Sequence, residues 1–274
     1  MVWTEITRPK YRRDDLRYAS DTTEEEWAVM EPLLPVASKR GRPRTTALRG
    51  VVDAIFYIAQ TGCQWRLLPK DFAPYTTVQR YFYRWRDDGT WPTINHHLVM
   101  LAREAEGREA SPTAGVIDSQ SVKTTESGGP RGFDADKKIK GRKRHLLTDT
   151  AGTLIAGIVH EANIQDRDGA PMLLALVRHA FPWLRHVFAD GGYAGTKLKT
   201  ALASLGRWSI EIIKRSDAAK GFKLLPRRWV VERTIAWLNR NRRLAKDFEA
   251  TIESAETWLM IASVKLLSRR LART

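Results

Sequence analysis

The sequence is poor in cysteine and contains no long apolar run. Its 274 residues include a single cysteine, Cys63, so no disulfide can form within the chain. That usage is typical of proteins in a reducing cytoplasm. No stretch reaches the roughly 18 consecutive apolar residues that a membrane helix requires, and the first residues lack the apolar segment of a signal peptide. We therefore expect a cytoplasmic protein and no membrane partner.

Acidic residues are also scarce relative to basic ones. The chain has 46 Lys and Arg against 31 Asp and Glu, a formal net charge of +15, while 43% of its residues are hydrophobic, enough for a globular core. A strong basic excess predicts a polyanionic partner. Nucleic acid is the first candidate, and an anionic membrane surface is the second. No long basic amphipathic helix is evident, so the composition favours nucleic acid.

Helical patterns dominate the first part of the chain. Residues 1–20 are polar and basic and are interpreted as an arm. The stretch TTEEEW predicts a short helix that begins with a capping box of Thr23 and Glu26. Longer helices are predicted over 47–60 and 76–88. In the second of these, three apolar residues recur at helical spacing and are expected to face the core: Val78, Phe82 and Trp85.

Two helices, then a break and a basic aromatic helix, are compatible with a helix-turn-helix-like DNA-binding domain, which we assign to residues 21–105. The basic loop RGRP, residues 40–43, resembles a hook that reads A·T base pairs in the minor groove. The residues expected to contact DNA from this domain are Arg40, Arg42, Arg44, Gln79, Arg80 and Arg84.

The pattern changes after residues 103–115, where charge, Gly, Ser and Pro are mixed and a domain boundary is expected. Strand-like and helix-like segments then follow in the order β-β-β-α-β-α-β-α-α, with a hairpin turn at Ala151 and Gly152. This order predicts an α/β domain over residues 114–274, with a mixed sheet covered by helices.

Two strand-like runs of this domain carry a carboxylate where burial is expected. Asp118 lies within GVIDSQSV, and Asp190 ends HVFAD just before two glycines. If the two strands are neighbours, their carboxylates repel each other unless a cation lies between them. Mg²⁺ prefers such oxygen ligands, so the pattern predicts a metal site at the strand ends.

If two metal ions are bound, a third acid is expected. The best candidate lies on the strongly predicted helix RRWVVERTIAWLNRNRRL. Glu232 lies at the edge of its apolar stripe of Val231, Ile235 and Leu238. Arg228 precedes Glu232 by four residues and shares its face, where it can bind a phosphate or orient the glutamate.

The motifs GVIDSQSVKT, KIKGRKRHLLTDTAG, ANIQDRDGA, ADGGYAG and RRWVVERTIAWLNRNRRL occur in this order between residues 114 and 245. As a set they resemble the DDE transposases of bacterial insertion sequences, most closely the insertion-sequence-five type. The stretch from TTEEEW through WRLLP to FYRW is similar to the N-terminal region of the same group.

The resemblance implies a ribonuclease H-like catalytic domain whose acidic triad is Asp118, Asp190 and Glu232. It also implies two Mg²⁺ ions, replaceable by Mn²⁺, and a double-stranded DNA substrate formed by the element's terminal inverted repeats and by the target. A related signature has a Tyr and a Lys where this sequence has Leu225 and Asn239. Pairing of two element ends suggests a homodimer on DNA.

Further basic residues are expected to follow the DNA path. The segment KKIKGRKRH, residues 137–145, and the helix that carries Glu232 supply most of them. The expected phosphate contacts are Lys137, Lys138, Lys140, Arg142, Lys143, Arg144, Arg228, Arg233 and Arg240.

Other interpretations stay open from the sequence alone. A ribonuclease H-like nuclease would cut nucleic acid without joining it, and a DNA-binding regulator related to transposases would have no catalysis. Asp166 and Asp168 are interpreted as caps of the following helix and Asp149 as a residue of the hairpin turn.

Overall fold

The structure, a computed structural model, describes residue 5 and residues 11–37, 43–213 and 226–274. Its first part is helical, and its second part is a mixed sheet with helices, so the α/β fold class is confirmed. Four helices come first: α1 (Glu24–Met30), α2 (Leu48–Thr61), α3 (Tyr75–Asp87) and α4 (Thr90–Glu104). None of the helices within these ranges is long and apolar enough to cross a membrane.

The capping box predicted for α1 is present. Thr23 Oγ accepts a hydrogen bond from Glu26 N, and the Glu26 carboxylate accepts one from Thr23 N. The core positions predicted for α3, at Val78, Phe82 and Trp85, are buried. Helix α4 is not predicted from the sequence, although its buried face follows a helical repeat.

The second part follows the predicted order with one addition. Its elements are β1 (Ala114–Lys123), β2 (Gly132–Asp134), β3 (Ile139–Asp149), β4 (Leu154–Glu161), α5 (Asp166–Val177), β5 (His186–Ala189), α6 (Thr196–Leu205), β6 (Ser209–Ile212), α7 (Pro226–Leu238) and α8 (Ile252–Leu271). Strand β2 and the start of β3 occupy part of the segment between β1 and the hairpin, for which the sequence predicts no strand.

Strand β1 lies in the middle of the sheet, whose order in the described part of the chain is β2-β3-β1-β5-β6, with β4 also paired to β3. It runs antiparallel to β3 and parallel to β5. Alternate residues of a strand point to opposite faces. Ser119 and Lys143 contact α5 on one face, while Arg142 and Arg144 point to the loop before α8 on the other.

The hairpin between β3 and β4 turns where it was predicted to. Asp149 Oδ1 accepts hydrogen bonds from Ala151 N at 2.9 Å and Thr153 N at 2.8 Å. Gly152 adopts a φ of 92°, a left-handed conformation that glycine tolerates best. Asp149 therefore serves the turn, as predicted.

Helix α8 is buried on nearly all sides, because it packs against β4 and also against α1, α2 and α4. Its burial includes a lysine, Lys265, whose Nζ donates to Gln60 Oε1 at 2.6 Å. The pKa of Lys265 is lowered to about 6, first by burial and then by Arg269 and Arg13, against the opposing effect of Glu26.

We expect Lys265→Met to raise the free energy of unfolding, with a gain that grows as pH falls from about 9 towards 6. Since the folded pKa lies below the unfolded one, the unfolded state binds more protons in this window, and the wild type loses stability as pH falls. Urea unfolding of both proteins across this range measures the difference. An equal difference at every pH, or a destabilised variant, would contradict this interpretation of Lys265.

Candidate active site

The strand register places the two aspartates side by side. Strands β1 and β5 are parallel, with Val116 opposite Phe188. Asp118 and Asp190 each lie two residues further on, so the two carboxylates lie side by side where β5 ends next to the middle of β1. Asp118 is half-buried, and 27% of the Asp190 side chain is exposed. The neighbouring strands expected from the sequence are therefore present.

The surroundings of Asp118 disfavour its charged form. Burial raises the pKa of Asp118 to about 6, and the nearby Asp190 raises it too, whereas the Ser119 amide, Lys137 and Arg228 lower it. The Ser119 amide donates to Asp118 Oδ1 at 2.7 Å. Burial and the second carboxylate therefore destabilise the charged form of Asp118 more than the amide and the two cations stabilise it.

Glu232, on α7, is the third acid of this site. Its helix buries Val231 and Leu238, while half of the Glu232 side chain is exposed. Arg228 Nη2 lies 3.4 Å from Glu232 Oε1 and 3.7 Å from Asp190 Oδ2. One guanidinium thus contacts both carboxylates, and it also acts electrostatically on Asp118. The three acids predicted from the sequence lie around Arg228.

The β3–β4 turn fixes the position of α7. Thr234, which is fully buried, donates its hydroxyl to Gly152 O at 2.7 Å, and Arg233 Nη2 donates to Ala151 O at 2.7 Å. The turn is held in place by a buried ion pair of Asp149 with Arg103 at 2.5 Å. Sequence reasoning missed Thr234, because its role depends on a turn 82 residues away.

The chemistry of this cluster fits divalent ions. Carboxylate oxygens are the ligands that Mg²⁺ prefers, and a bound cation would stabilise the charged form of Asp118, whose pKa is raised by burial and by Asp190. Among the residues that the structure describes, no group of three or more His, Cys, Asp or Glu side chains is arranged to hold a metal ion. In this arrangement Asp190 and Glu232 are linked by the Arg228 guanidinium and not by a common metal-binding geometry.

A second basic surface lies on the helical part. Arg44, Arg80 and Arg84 are exposed and line one cavity of about 530 Å³. Gln79 lies beside them and donates to the Tyr83 hydroxyl at 3.3 Å. The structure thus brings the described end of the basic loop next to α3. Arg40 and Arg42, like Leu225 of the family signature, lie outside the described residues.

Part of the expected phosphate-binding segment is turned inward. Lys137, Lys138 and Lys140 are exposed, but Arg142, Lys143 and Arg144 have 0%, 5% and 2% of their surface exposed. Strand β3 pairs with neighbours on both edges and is covered on both faces, so its central side chains cannot reach DNA. The expectation of phosphate contacts at Arg142, Lys143 and Arg144 is therefore wrong for this fold.

These three cations are engaged within the protein. Arg142 pairs with Asp247 at 3.1 Å, and Lys143 pairs with Asp166 at 2.9 Å. Arg144 donates to Leu244 O at 2.8 Å. They connect the middle of the sheet to the segments that flank it.

Of the basic residues in and after α7, one is also engaged within the protein and another is exposed. The Arg233 guanidinium lies 4.5 Å from the ring centres of both Trp229 and Trp237, in addition to its bond to the turn. Arg233 thus stabilises the helix, and the expectation that it contacts a DNA phosphate is wrong. Arg240 is exposed and remains available to DNA.

The capping role expected for Asp166 is also wrong. Gln165 occupies the N-cap of α5, and Asp166 is the first residue of the helix. Its carboxylate accepts from Ser119 Oγ at 2.8 Å and Lys143 Nζ at 2.9 Å. Although burial raises it, these two hydrogen bonds lower the pKa of Asp166 below its ordinary value. Asp168 pairs with Lys197 at the surface instead of capping.

Comparison with known proteins agrees with this geometry. A family model described as "Transposase DDE domain" matches residues 109–267, and one described as "Putative transposase of IS4/5 family" matches residues 22–95. No solved structure matches the chain.

Two curated relatives are similar over part of the chain. A protein of Burkholderia cepacia named "Putative transposase for insertion sequence element IS402" is 36% identical over 121 residues, which are 42% of this chain and 56% of that protein. "Uncharacterized protein y4sN" of Sinorhizobium fredii is 32% identical over 83 residues, 30% of this chain and 64% of that protein. The chain thus matches between half and two thirds of the length of these relatives. Since the DDE model covers more than half of the chain and includes all three acids, the chain belongs to the DDE transposases of the IS4/5 family, whose catalytic domain has the ribonuclease H-like fold.

Proposed function

We propose that this protein binds the terminal inverted repeats of an insertion sequence, cleaves the DNA at the element ends and joins the freed 3′-hydroxyls to target DNA. The observation that carries the proposal is the convergence of Asp118, Asp190 and Glu232 around Arg228, where β5 ends beside the middle of β1. Family membership and a net charge of +15 support a DNA substrate.

Asp118, Asp190 and Glu232 would hold two Mg²⁺ ions, or Mn²⁺ in their place. Such ions activate a water or hydroxyl nucleophile and stabilise the leaving oxygen of an in-line displacement. The protein's own part is positioning. Strands β1 and β5 fix the two aspartates, and the docked α7 presents Glu232 and Arg228.

Arg228 has a second role in this proposal. Its guanidinium already lies between two carboxylates, and guanidinium groups bind phosphates as well as carboxylates. We propose that it turns to a DNA phosphate when the cluster is loaded. Lys138, Lys140 and Arg240, which are exposed, extend the phosphate path, and Lys137, whose Nζ binds Ser119, lies at its inner edge. Holding two element ends at once suggests a homodimer on DNA, in the cytoplasm where the chromosome lies.

Incubation with labelled element ends, a target plasmid and Mg²⁺ tests the proposal. A transposase yields labelled products that are covalently joined to the plasmid. Cut ends without joined products would identify a nuclease, and binding without any cutting would identify a DNA-binding regulator. Either of these outcomes would overturn the proposed function.

The helical part is proposed to read the terminal repeats through α3 and the basic loop. We expect Arg80→Ala combined with Arg84→Ala to weaken binding to element ends and to make the logarithmic salt dependence less steep by about 0.9 for each phosphate that the variant no longer neutralises. Fluorescence anisotropy at several salt concentrations measures both. Lys70→Ala, an exposed lysine in the preceding loop, is the matched control. An unchanged affinity and slope in the double variant would exclude this surface.

A further inference from the structure

A fourth carboxylate lies next to the triad and has no place in the mechanism above. Asp166 begins α5, on the face of the sheet opposite to Asp118, and 19% of its side chain is exposed. Because Asp118 and Ser119 are consecutive in β1, they point to opposite faces. Asp166 accepts a hydrogen bond from Ser119 and lies beside the loop that follows Asp190.

The Oδ1 atom of Asp166 supports the residue that orients Asp118. It accepts from Ser119 Oγ at 2.8 Å, and the Ser119 amide donates to Asp118 Oδ1 at 2.7 Å. Lys137 Nζ binds the same serine, at 3.1 Å from its carbonyl oxygen and 3.2 Å from its hydroxyl. Asp166 and Lys137 thus fix the segment that carries Asp118.

The Oδ2 atom of Asp166 faces the loop that carries Asp190. A methyl group added at Gly192 would lie 3.1 Å from Asp166 Oδ2 and 3.1 Å from Asp190 Oδ1. The Gly192 amide donates to Asp190 Oδ1 at 2.9 Å. Gly192 therefore lies between two carboxylate oxygens, and a side chain there would require one of them to shift by a few tenths of an ångström.

A buried cation keeps Asp166 in this position. Lys143, on β3, lies 2.9 Å from Asp166 Oδ1 and 3.4 Å from Asp134 Oδ2, and its Nζ also donates to Ile164 O. Asp166 is thus held through Oδ1 by Ser119 and Lys143, while Oδ2 lies beside Gly192, and it caps nothing.

We propose that Asp166 is a positioning residue of the catalytic centre: through Ser119 and Gly192 it sets the separation of the Asp118 and Asp190 carboxylates. The inference rests on the proposed function. It assigns Asp166 no contact with DNA, and its effect on catalysis passes through the two aspartates.

The decisive comparison is Asp166→Asn against Asp168→Asn. Both changes remove one carboxylate charge from the first turn of α5, but the Asp168 carboxylate pairs with the surface lysine Lys197. Three quantities are measured for each protein: kcat and KM for cleavage of labelled element ends, Mn²⁺ binding by the protein without DNA, followed by electron paramagnetic resonance, and the melting temperature.

For Asp166→Asn we expect kcat to fall about 10- to 100-fold, as for other residues that orient metal ligands, with KM for DNA unchanged. The Mn²⁺ concentration for half-saturation should rise by a similar factor. Asp168→Asn should match the wild type in all three measurements. Ser119→Ala should reproduce part of the loss, and combining it with Asp166→Asn should add little, because both remove the same link.

Two results would overturn the inference. One is an Asp166→Asn protein whose kcat per correctly folded molecule and Mn²⁺ binding equal those of Asp168→Asn. The other is a loss confined to melting temperature, which would give Asp166 a structural role only. Asp118→Asn, assayed in parallel, separates failure of this inference from failure of the proposed function. An active Asp118→Asn protein would overturn both. An inactive Asp118→Asn protein beside a fully active Asp166→Asn protein would overturn the inference alone.

Discussion

Asp118→Asn should lower cleavage of element ends by on the order of 10³-fold or more, a loss typical of removing a group that stabilises charge in the transition state. The amide keeps the size of the side chain but lacks the charge that a divalent ion requires. Because burial raises the pKa of Asp118 to about 6, the fold already disfavours that charge. The melting temperature should therefore not fall.

The combination of lost activity and retained stability distinguishes a catalytic carboxylate from a structural one. Gel analysis of labelled DNA measures cleavage, and thermal unfolding measures stability. Glu211→Gln is the control, since Glu211 lies on β6 with 59% of its side chain exposed and should behave as wild type. Full cleavage by Asp118→Asn would exclude Asp118 from the centre.

Arg142→Ala should lower the free energy of unfolding by about 3–5 kcal/mol, the cost of leaving one charge of a buried pair without its partner. Neither Arg142 nor Asp247 exposes any of its side chain, and their atoms are 3.1 Å apart. The guanidinium also donates to Pro130 O at 2.8 Å and to Ala250 O at 3.1 Å. Alanine leaves the buried carboxylate without its ion-pair partner, with only the Glu249 amide as donor, and removes the donor to these carbonyls. Urea unfolding measures the loss.

Lys140→Ala is the matched control, two residues earlier on the same strand and exposed. It should keep the wild-type free energy of unfolding and weaken DNA binding, the reverse of Arg142→Ala. Replacing Asp247 together with Arg142 by apolar residues should recover part of the loss, because no buried charge then remains unpaired. A loss below about 1 kcal/mol in Arg142→Ala would mean that this pair is exposed in solution.

The local elements and the pair of aspartates could be predicted from the sequence because each depends on short patterns. The capping box at Thr23, the turn at Asp149 and the two acids in strand-like runs can each be recognised from a few neighbouring residues. A parallel pairing of the strands that carry Asp118 and Asp190 then suffices to bring the carboxylates together.

The roles of the basic residues could not be predicted in the same way. Arg142 and Lys140 look alike in a basic segment, and net charge describes only the average of such residues. Their fates differ because β3 is paired on both edges and covered on both faces, which depends on contacts with residues far along the chain. The role of Asp166 was missed for the same reason, since its partner Ser119 is 47 residues away.

The most direct test of the proposed catalytic centre is a crystal structure of the protein with element-end DNA and Mn²⁺, in which anomalous scattering locates the ions. We predict manganese within bonding distance of Asp118, Asp190 and Glu232, beside the phosphate to be cleaved. Manganese bound elsewhere, or Glu232 remote from both aspartates in the presence of DNA, would contradict it.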